Sequence, residues 1–156
     1  MRNIEFRGKE IDTGKWVYGG LFKEPAPPQC FEKTLEDKYW IVYPNPRYMP
    51  DWNLPYEMVR TDVNPETVGQ YTGLKDKNGR EIYEVYIVLA PEWFGSLKCI
   101  CIYQQENTVN PIQGFGLYSY DSYFRKYNTL VESDEWDEFE VIGNIYDNPE
   151  LLEEGE

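Results

Sequence analysis

Three clusters in this chain hold the residue types from which a reaction centre is built. Between Glu132 and Glu140 stand six carboxylates, Glu132, Asp134, Glu135, Asp137, Glu138 and Glu140, with Trp136 among them. Acids at that density can hold a hard cation or divide into a general acid and a general base. A run of like charges also repels itself, stays hydrated and extends, so the expectation for this segment is a solvated loop. Cys99 and Cys101 lie two apart in KCICIY. On a strand that spacing sends both thiols to one face, where they act as small apolar side chains. A metal or redox centre would call for Cys-x-x-Cys spacing or a histidine, and the chain has neither. The third cluster, Asp76-Lys77-Asn78-Gly79, has calcium-loop residue types, but its glycine stands fourth where such a loop needs it sixth.

Other reaction designs fail on composition. With no His, the Ser-His and Cys-His nucleophiles are removed. None of the four Ser sits in Gly-x-Ser-x-Gly, and no Walker-type loop is present. Gly114-Phe115-Gly116 is not a dinucleotide fingerprint, because Ser119 occupies the third glycine position. A carboxylate-based, metal-dependent hydrolase is the one chemistry left, yet nothing in the sequence sets two acids on opposite walls of a cleft. No cofactor is expected, and the chain is read as a non-enzyme.

The elements that would position these residues centre on Thr67–Leu89, TVGQYTGLKDKNGREIYEVYIVL, read as two strands joined by a tight turn at Asn78-Gly79. A two-residue loop would set Lys77 against Arg80 and Asp76 against Glu81, both like-charge pairs. A three-residue loop, Lys77-Asn78-Gly79 with Gly79 left-handed, sets Asp76 against Arg80, Lys75 against Glu81 and Leu74 against Ile82. The three-residue register is therefore expected.

The run VNPETVGQYTGLKDKNGREIYE from Val63, together with FEVIGNIYDNPELL at Phe139–Leu152, resembles the YopX family of phage and prophage proteins. The opening RNIEFRGKEIDTGKWVYGGLF is similar to the same family's N-terminal pattern. The resemblance implies a phage or prophage origin and a β-rich fold, and it implies no reaction. One departure stands out. Where the family usually has Glu-Gly-Asp-Ile-Val, this chain has Glu84-Val85-Tyr86-Ile87-Val88, so the turn or bend made by Gly-Asp is expected to be missing.

Upstream, Ile4 and Phe6 alternate with Asn3, Glu5 and Arg7, and Asp12–Lys15 separates them from an apolar run Trp16–Phe22, which is a hairpin pattern. Trp16, Tyr18 and Phe22 face one way and Val17 and Leu21 the other, so both faces are expected to be covered. Gly19-Gly20 marks a bulge or a close backbone approach. Pro25, Pro27 and Pro28 break the chain, and Glu32–Lys38 has room for one helical turn. Tyr39–Tyr43 reads as a buried strand. Pro44, Pro46, Pro50 and Pro55 then impose a long loop bearing Tyr48, Trp52 and Tyr56. Those aromatics either fold back as a lid or form a binding surface, and with Trp136 they are the candidate contact residues.

Downstream, Pro91 and Gly95 punctuate, Leu97–Tyr103 and Phe115–Tyr120 read as strands, and 121–127 suits a short helix capped by Asp121 or a strand. Phe139, Val141 and Ile145 share one face of a last strand, with Ile142 and Tyr146 on the other and Gly143 admitting a close neighbour. Asp147 or Asn148 caps a short helix beginning at Pro149, with Leu151 and Leu152 docking it.

The chain of 156 residues is 41% apolar and 17% aromatic, with 14 Tyr and 5 Trp, a bias toward pleated sheet. The net charge of -13 argues against binding double-stranded nucleic acid, which needs a basic footprint. It favours solubility or a negative surface aimed at a basic partner. Three cysteines, Cys30, Cys99 and Cys101, suit reduced thiols in a bacterial cytoplasm. The N-terminus has no signal-like apolar stretch and no membrane span is expected.

The reading is a mainly β (β-rich α+β) chain. Residues 1–60 form a hairpin and strand unit with the Pro-rich aromatic loop, 61–152 a small SH3-like barrel with one or two short helices, and 153–156 a frayed acidic tail. Its expected role is non-catalytic contact with a protein partner, or self-association, through an acidic, aromatic-rich surface. The alternatives are single-stranded nucleic acid stacked on a barrel face and the carboxylate hydrolase.

Overall fold

The structure, a computed structural model, describes residues 3–27, 36–45, 57–104, 114–119, 128–129 and 136–152. It is mainly β and antiparallel, and it divides into two compact units, Ile4–Gln70 and the chain from Tyr71 onward. The boundary drawn from sequence at residue 60 falls inside a strand whose pairing keeps it in the first unit.

In the first unit, β1 (Phe6–Lys9) and β2 (Trp16–Glu24) form the expected hairpin, with Phe6 opposite Gly19 and Lys9 opposite Trp16. β3 (Lys38–Pro44) pairs with β2, and β4 (Met58–Asp62) with β3. The residue after β4 then returns to the end of β1: Val63 bridges Glu10. Two backbone bonds flank that bridge, Ile11 N–H to the Asp62 carbonyl at 3.1 Å and Asn64 N–H to the Lys9 carbonyl at 2.9 Å. The pairing β1-β2-β3-β4 thus returns on itself as a ring closed by this single bridge. Glycine makes it possible, since a Cβ on Gly8 would lie 3.0 Å from the Val63 Cβ. Likewise a Cβ on Gly19 would lie 2.2 Å from the Val42 carbonyl oxygen, which makes this the close approach expected at Gly19-Gly20.

Three expectations for this unit are overturned. The alternation around Phe6 is inverted, because Arg7 is 1% exposed while Ile4 is 63% exposed. The Arg7 guanidinium stacks 4.0 Å from the centre of the Trp16 ring, a diagonal neighbour across the β1–β2 ladder, which lets a cation stay inside. The run Tyr39–Tyr43 is half-buried, with only Ile41 fully enclosed. Ile41 shares the inner face with Leu21 and Thr61, its direct neighbours on the flanking strands, while Trp40 and Val42 turn outward with Phe22 and Arg60. Phe22 and Tyr18 are exposed, so β2 is not covered on both faces.

β5 (Gly69–Lys75) begins in the first unit, where Gly69 and Gln70 pair with Arg7 and Phe6, and continues in the second. It meets β6 (Glu81–Tyr83) through the three-residue loop expected from charge: Lys75 faces Glu81, Asp76 N–H donates to the Arg80 carbonyl at 2.9 Å, and Gly79 has φ +78°. The Leu74–Ile82 pair does not form. The ladder shifts between Lys75–Glu81 and Tyr71–Tyr83, a bulge in which Gly73 takes φ +90° and the Thr72 hydroxyl donates to the Ile82 carbonyl at 2.8 Å.

The second strand of this hairpin is not continuous. It breaks at Glu84-Val85 and resumes as β7 (Tyr86–Leu89) in another sheet, of order β10-β9-β8-β7-β11, with β8 at Lys98–Gln104, β9 at Gly114–Ser119, β10 at Asn128–Thr129 and β11 at Glu140–Asn144. The bend that the Gly-Asp replacement was expected to remove is therefore present, and Val85 makes it at φ +62°. Its N–H donates to the Cys101 carbonyl at 2.8 Å and its carbonyl accepts the Ile145 N–H at 3.2 Å, so both sides of the bend are held.

One core serves this unit, including Ile82, Tyr83, Val88, Leu117, Trp136 and Phe139. Cys99 and Cys101 lie in it as expected, opposite Val88 and Leu117 respectively. Burial pushes the Cys99 thiol up to about 11 and Cys101 higher still, with the Glu84 charge adding to burial at Cys101. Phe139 and Val141 are both buried, but β11 bulges between Val141 and Gly143 and ends at Asn144, so Ile145 lies beyond the strand. The close neighbour at Gly143 is the last turn: a Cβ there would lie 2.6 Å from Asn148 Oδ1 and 2.9 Å from Leu151. That turn is a 3-10 segment, Pro149–Leu152, whose Leu151 N–H donates to the Asn148 carbonyl at 3.1 Å.

Candidate contact surface

Among carboxylates, Asp76 is the first to test for chemistry, being 4% exposed. Its Oδ1 accepts the backbone N–H groups of Asn78 and Arg80, each at 2.8 Å, and its Oδ2 accepts that of Val141 at 3.0 Å. Burial alone would raise its pKa. The bonds from Val141, Arg80 and Asn78, helped by the Arg80 charge, outweigh burial and hold the carboxyl below its ordinary value. A carboxylate so engaged is an anchor and a poor proton acceptor. In the acidic run, Glu132, Asp134 and Glu135 lie outside the described residues. Glu140 pairs with Lys77 at 2.7 Å, and Glu138 accepts from the Trp93 indole N–H.

That indole marks a surface. Trp93 stands on a 3-10 turn, Glu92–Phe94, between Pro91 and the positive-φ pair Gly95 and Ser96. The turn holds the side chain outward at 55% exposure, and its ring meets Phe139 edge-on at 6.4 Å. Glu138 fixes its N–H, and the adjoining residues Glu92, next to Trp93 in the chain, and Asp137, next to Glu138, are exposed as Glu138 is. The setting is acidic at long range as well. Residues 71–156 carry 6 Lys and Arg against 17 Asp and Glu, whereas residues 4–70 carry 8 against 11. A rigid indole face rimmed by carboxylates suits a cationic side chain, which gains from the ring quadrupole and from the charges.

The outer face of β2-β3-β4 is a second exposed patch. Phe22 lies directly opposite Trp40, Val42 opposite Arg60, and Pro44 opposite Met58. Phe22 is 51% and Met58 55% exposed. Arg60 and Lys38 approach the Trp40 ring at 4.5 and 5.7 Å, and the Trp40 indole N–H donates to Glu24 at 2.8 Å.

Of the contact residues expected from sequence, Tyr48, Trp52 and Tyr56 lie outside the described residues. Trp136 is corrected: it is 1% exposed and packs on Phe139 with ring centres 5.5 Å apart. A 3-10 turn, Trp136–Glu138, sends the indole inward while Asp137 and Glu138 face water, so these two acids are the outer half of an amphipathic turn. Sequence reasoning missed Trp93, although its place between a proline and a glycine already set it outside any strand.

The fold is of the mainly β class, built from antiparallel sheets. A family model described as YopX protein matches residues 5–153, and the chain belongs to that family. No curated protein matches it. Among solved structures, the chain is similar to the crystal structure of protein EF1440 from Enterococcus faecalis, at 20% identity and a TM-score of 0.45, covering 98% of this chain and 100% of that one.

Proposed function

We propose that this chain is a non-catalytic phage or prophage accessory protein of the bacterial cytoplasm that works by contact with a basic protein through the acidic, aromatic surface around Trp93. The observation that carries the reading is the exposed Trp93 indole held by Glu138 and Phe139 among carboxylates, in a unit where acids far outnumber bases. Preorganised aromatics of this kind are the usual anchors of protein interfaces, and the carboxylate rim selects for opposite charge. The test is affinity capture from host extract with the wild type and with Trp93→Ala, both checked by thermal melting. Loss of one specific basic protein at unchanged melting supports the reading. Identical capture by both overturns it.

A second reading has an observation of its own. Trp40 and Phe22 are adjacent on an open sheet face with Arg60 and Lys38 over the Trp40 ring, an arrangement on which unpaired bases stack. Glu24 and Asp62 on the same face oppose phosphate. Quenching of Trp40 fluorescence by single-stranded oligonucleotides, weakening steeply with salt, would favour this reading over the first.

A further inference from the structure

We infer that the Asn78-Gly79 peptide is a site of spontaneous isoaspartate formation, and that Asp76 sets its rate by holding the nitrogen that must react. It is the one Asn-Gly pair in the sequence. In the reaction the backbone nitrogen of Gly79 attacks the side-chain amide carbon of Asn78. A C–N bond forms, and the Asn78 amide nitrogen leaves as ammonia, carrying the proton from Gly79. The five-membered imide then adds one water and opens at either carbonyl. One opening gives aspartate at position 78. The other gives isoaspartate, in which the backbone runs through the former side-chain carbon and is one carbon longer.

The turn both offers and restrains this chemistry. Asn78 and Gly79 are exposed, and no atom beyond the adjoining residues lies within 4 Å of where a Gly79 Cβ would be, so nothing obstructs approach at that side. Yet the Gly79 N–H is already the donor of the bond that closes the three-residue loop, to the Asp76 carbonyl at 2.8 Å. The Asn78 N–H is likewise held by Asp76 Oδ1 at 2.8 Å. Attack requires the Gly79 bond to break. The product would undo what restrained it, because an extra backbone carbon changes the loop length that sets Lys75 against Glu81 and carries Asp76 to Val141.

Incubation of the full chain at mildly alkaline pH, with and without denaturing urea, tests this by peptide mapping and enzymatic methylation of isoaspartyl groups. Conversion at Asn78 is expected in both, roughly tenfold slower in the native protein, the scale set by one net hydrogen bond and the fixed turn. Asp76→Ala keeps the main-chain carbonyl that accepts the Gly79 N–H and removes the carboxylate that braces the loop at Asn78 and Arg80, so it should bring the native rate part of the way toward the urea rate, and Gly79→Ala should slow the reaction in urea by placing a β carbon beside the attacking nitrogen. If Asp76→Ala does not fold, the wild-type comparison decides. Equal wild-type rates in both solvents, or no isoaspartate at position 78 in either one, would overturn the inference.

Discussion

The carboxylate of Asp76 reaches from the β5–β6 loop to the backbone of Val141 on β11, at 3.0 Å. β11 pairs with β7, and the loop supplies partners to its backbone beyond that ladder: Asp76 takes the Val141 N–H, and the Lys77 N–H donates to the Phe139 carbonyl at 2.9 Å. An edge that would present open donors and acceptors is covered from within the chain. The Lys77–Glu140 ion pair lies over the same junction. The family-like turn and the family-like C-terminal block are thus two halves of one contact, which gives their shared presence a structural reason.

Asp76→Ala leaves three backbone N–H groups without their acceptor and should cost about 2–4 kcal/mol in urea unfolding. The carboxyl is held below its ordinary value of 3.8. A group depressed on folding contributes stability above its unfolded pKa and loses it as pH falls through the folded one. Wild-type stability should therefore decline below about pH 4, the unfolded carboxylate value, and the decline should be shallower in Asp76→Asn.

Val85 is β-branched and sits at φ +62°, a region where such residues carry steric strain. Val85→Gly relieves that strain at the cost of a more flexible unfolded chain, for a net gain of about 1 kcal/mol. A rise in the urea midpoint at unchanged slope would bear this out. A fall would mean that the half-buried isopropyl group contributes more than its backbone strain costs.

Gly19 and Gly20 are an internal control for close approach. A Cβ on Gly19 would overlap the Val42 carbonyl oxygen at 2.2 Å, whereas one on Gly20 would sit 3.8 Å from the same atom, an ordinary contact. Gly19→Ala should lose about 2–3 kcal/mol, and Gly20→Ala should be neutral or stabilising by up to about 0.5 kcal/mol.

The two tryptophans near the acidic run should separate cleanly. Trp136→Ala empties a core site and should cost about 3–5 kcal/mol, while Trp93→Ala removes a mostly exposed ring and should cost under about 1 kcal/mol. Thermal melts of both variants decide it.

Cys99 and Cys101 should resist alkylation in the native protein at neutral pH, because the thiolate is the reacting form and burial disfavours it at both positions. Mapping of labelled peptides before and after unfolding checks this, with labelling at both positions expected only after unfolding.

What could be read from sequence follows from where local physics decides. The Asp76–Arg80 and Lys75–Glu81 register was legible because charge pairing across a short loop is settled by near neighbours. The thiols' shared face was legible because a strand has period two. Trp136 was misplaced because a charge run hides that one side of a short turn can face inward. Arg7 was misplaced because its partner, Trp16, lies across a ladder that alternation within one strand does not report. The ring closure was illegible for a related reason: Glu10 and Val63 are far apart in sequence, and Gly8 reveals its purpose only when Val63 is set against it.

The first unit's ring is shut at one residue pair and two flanking bonds, whereas β2 and β3 are joined through five consecutive pairs. Unequal joints part unequally, and the short one is the seam. Local opening is accordingly expected to start where Val63 meets Gly8, and amide exchange should run through that gap first. Arg7, a buried cation among the described residues, adjoins Gly8 in the chain, so an opening at this seam begins beside its backbone.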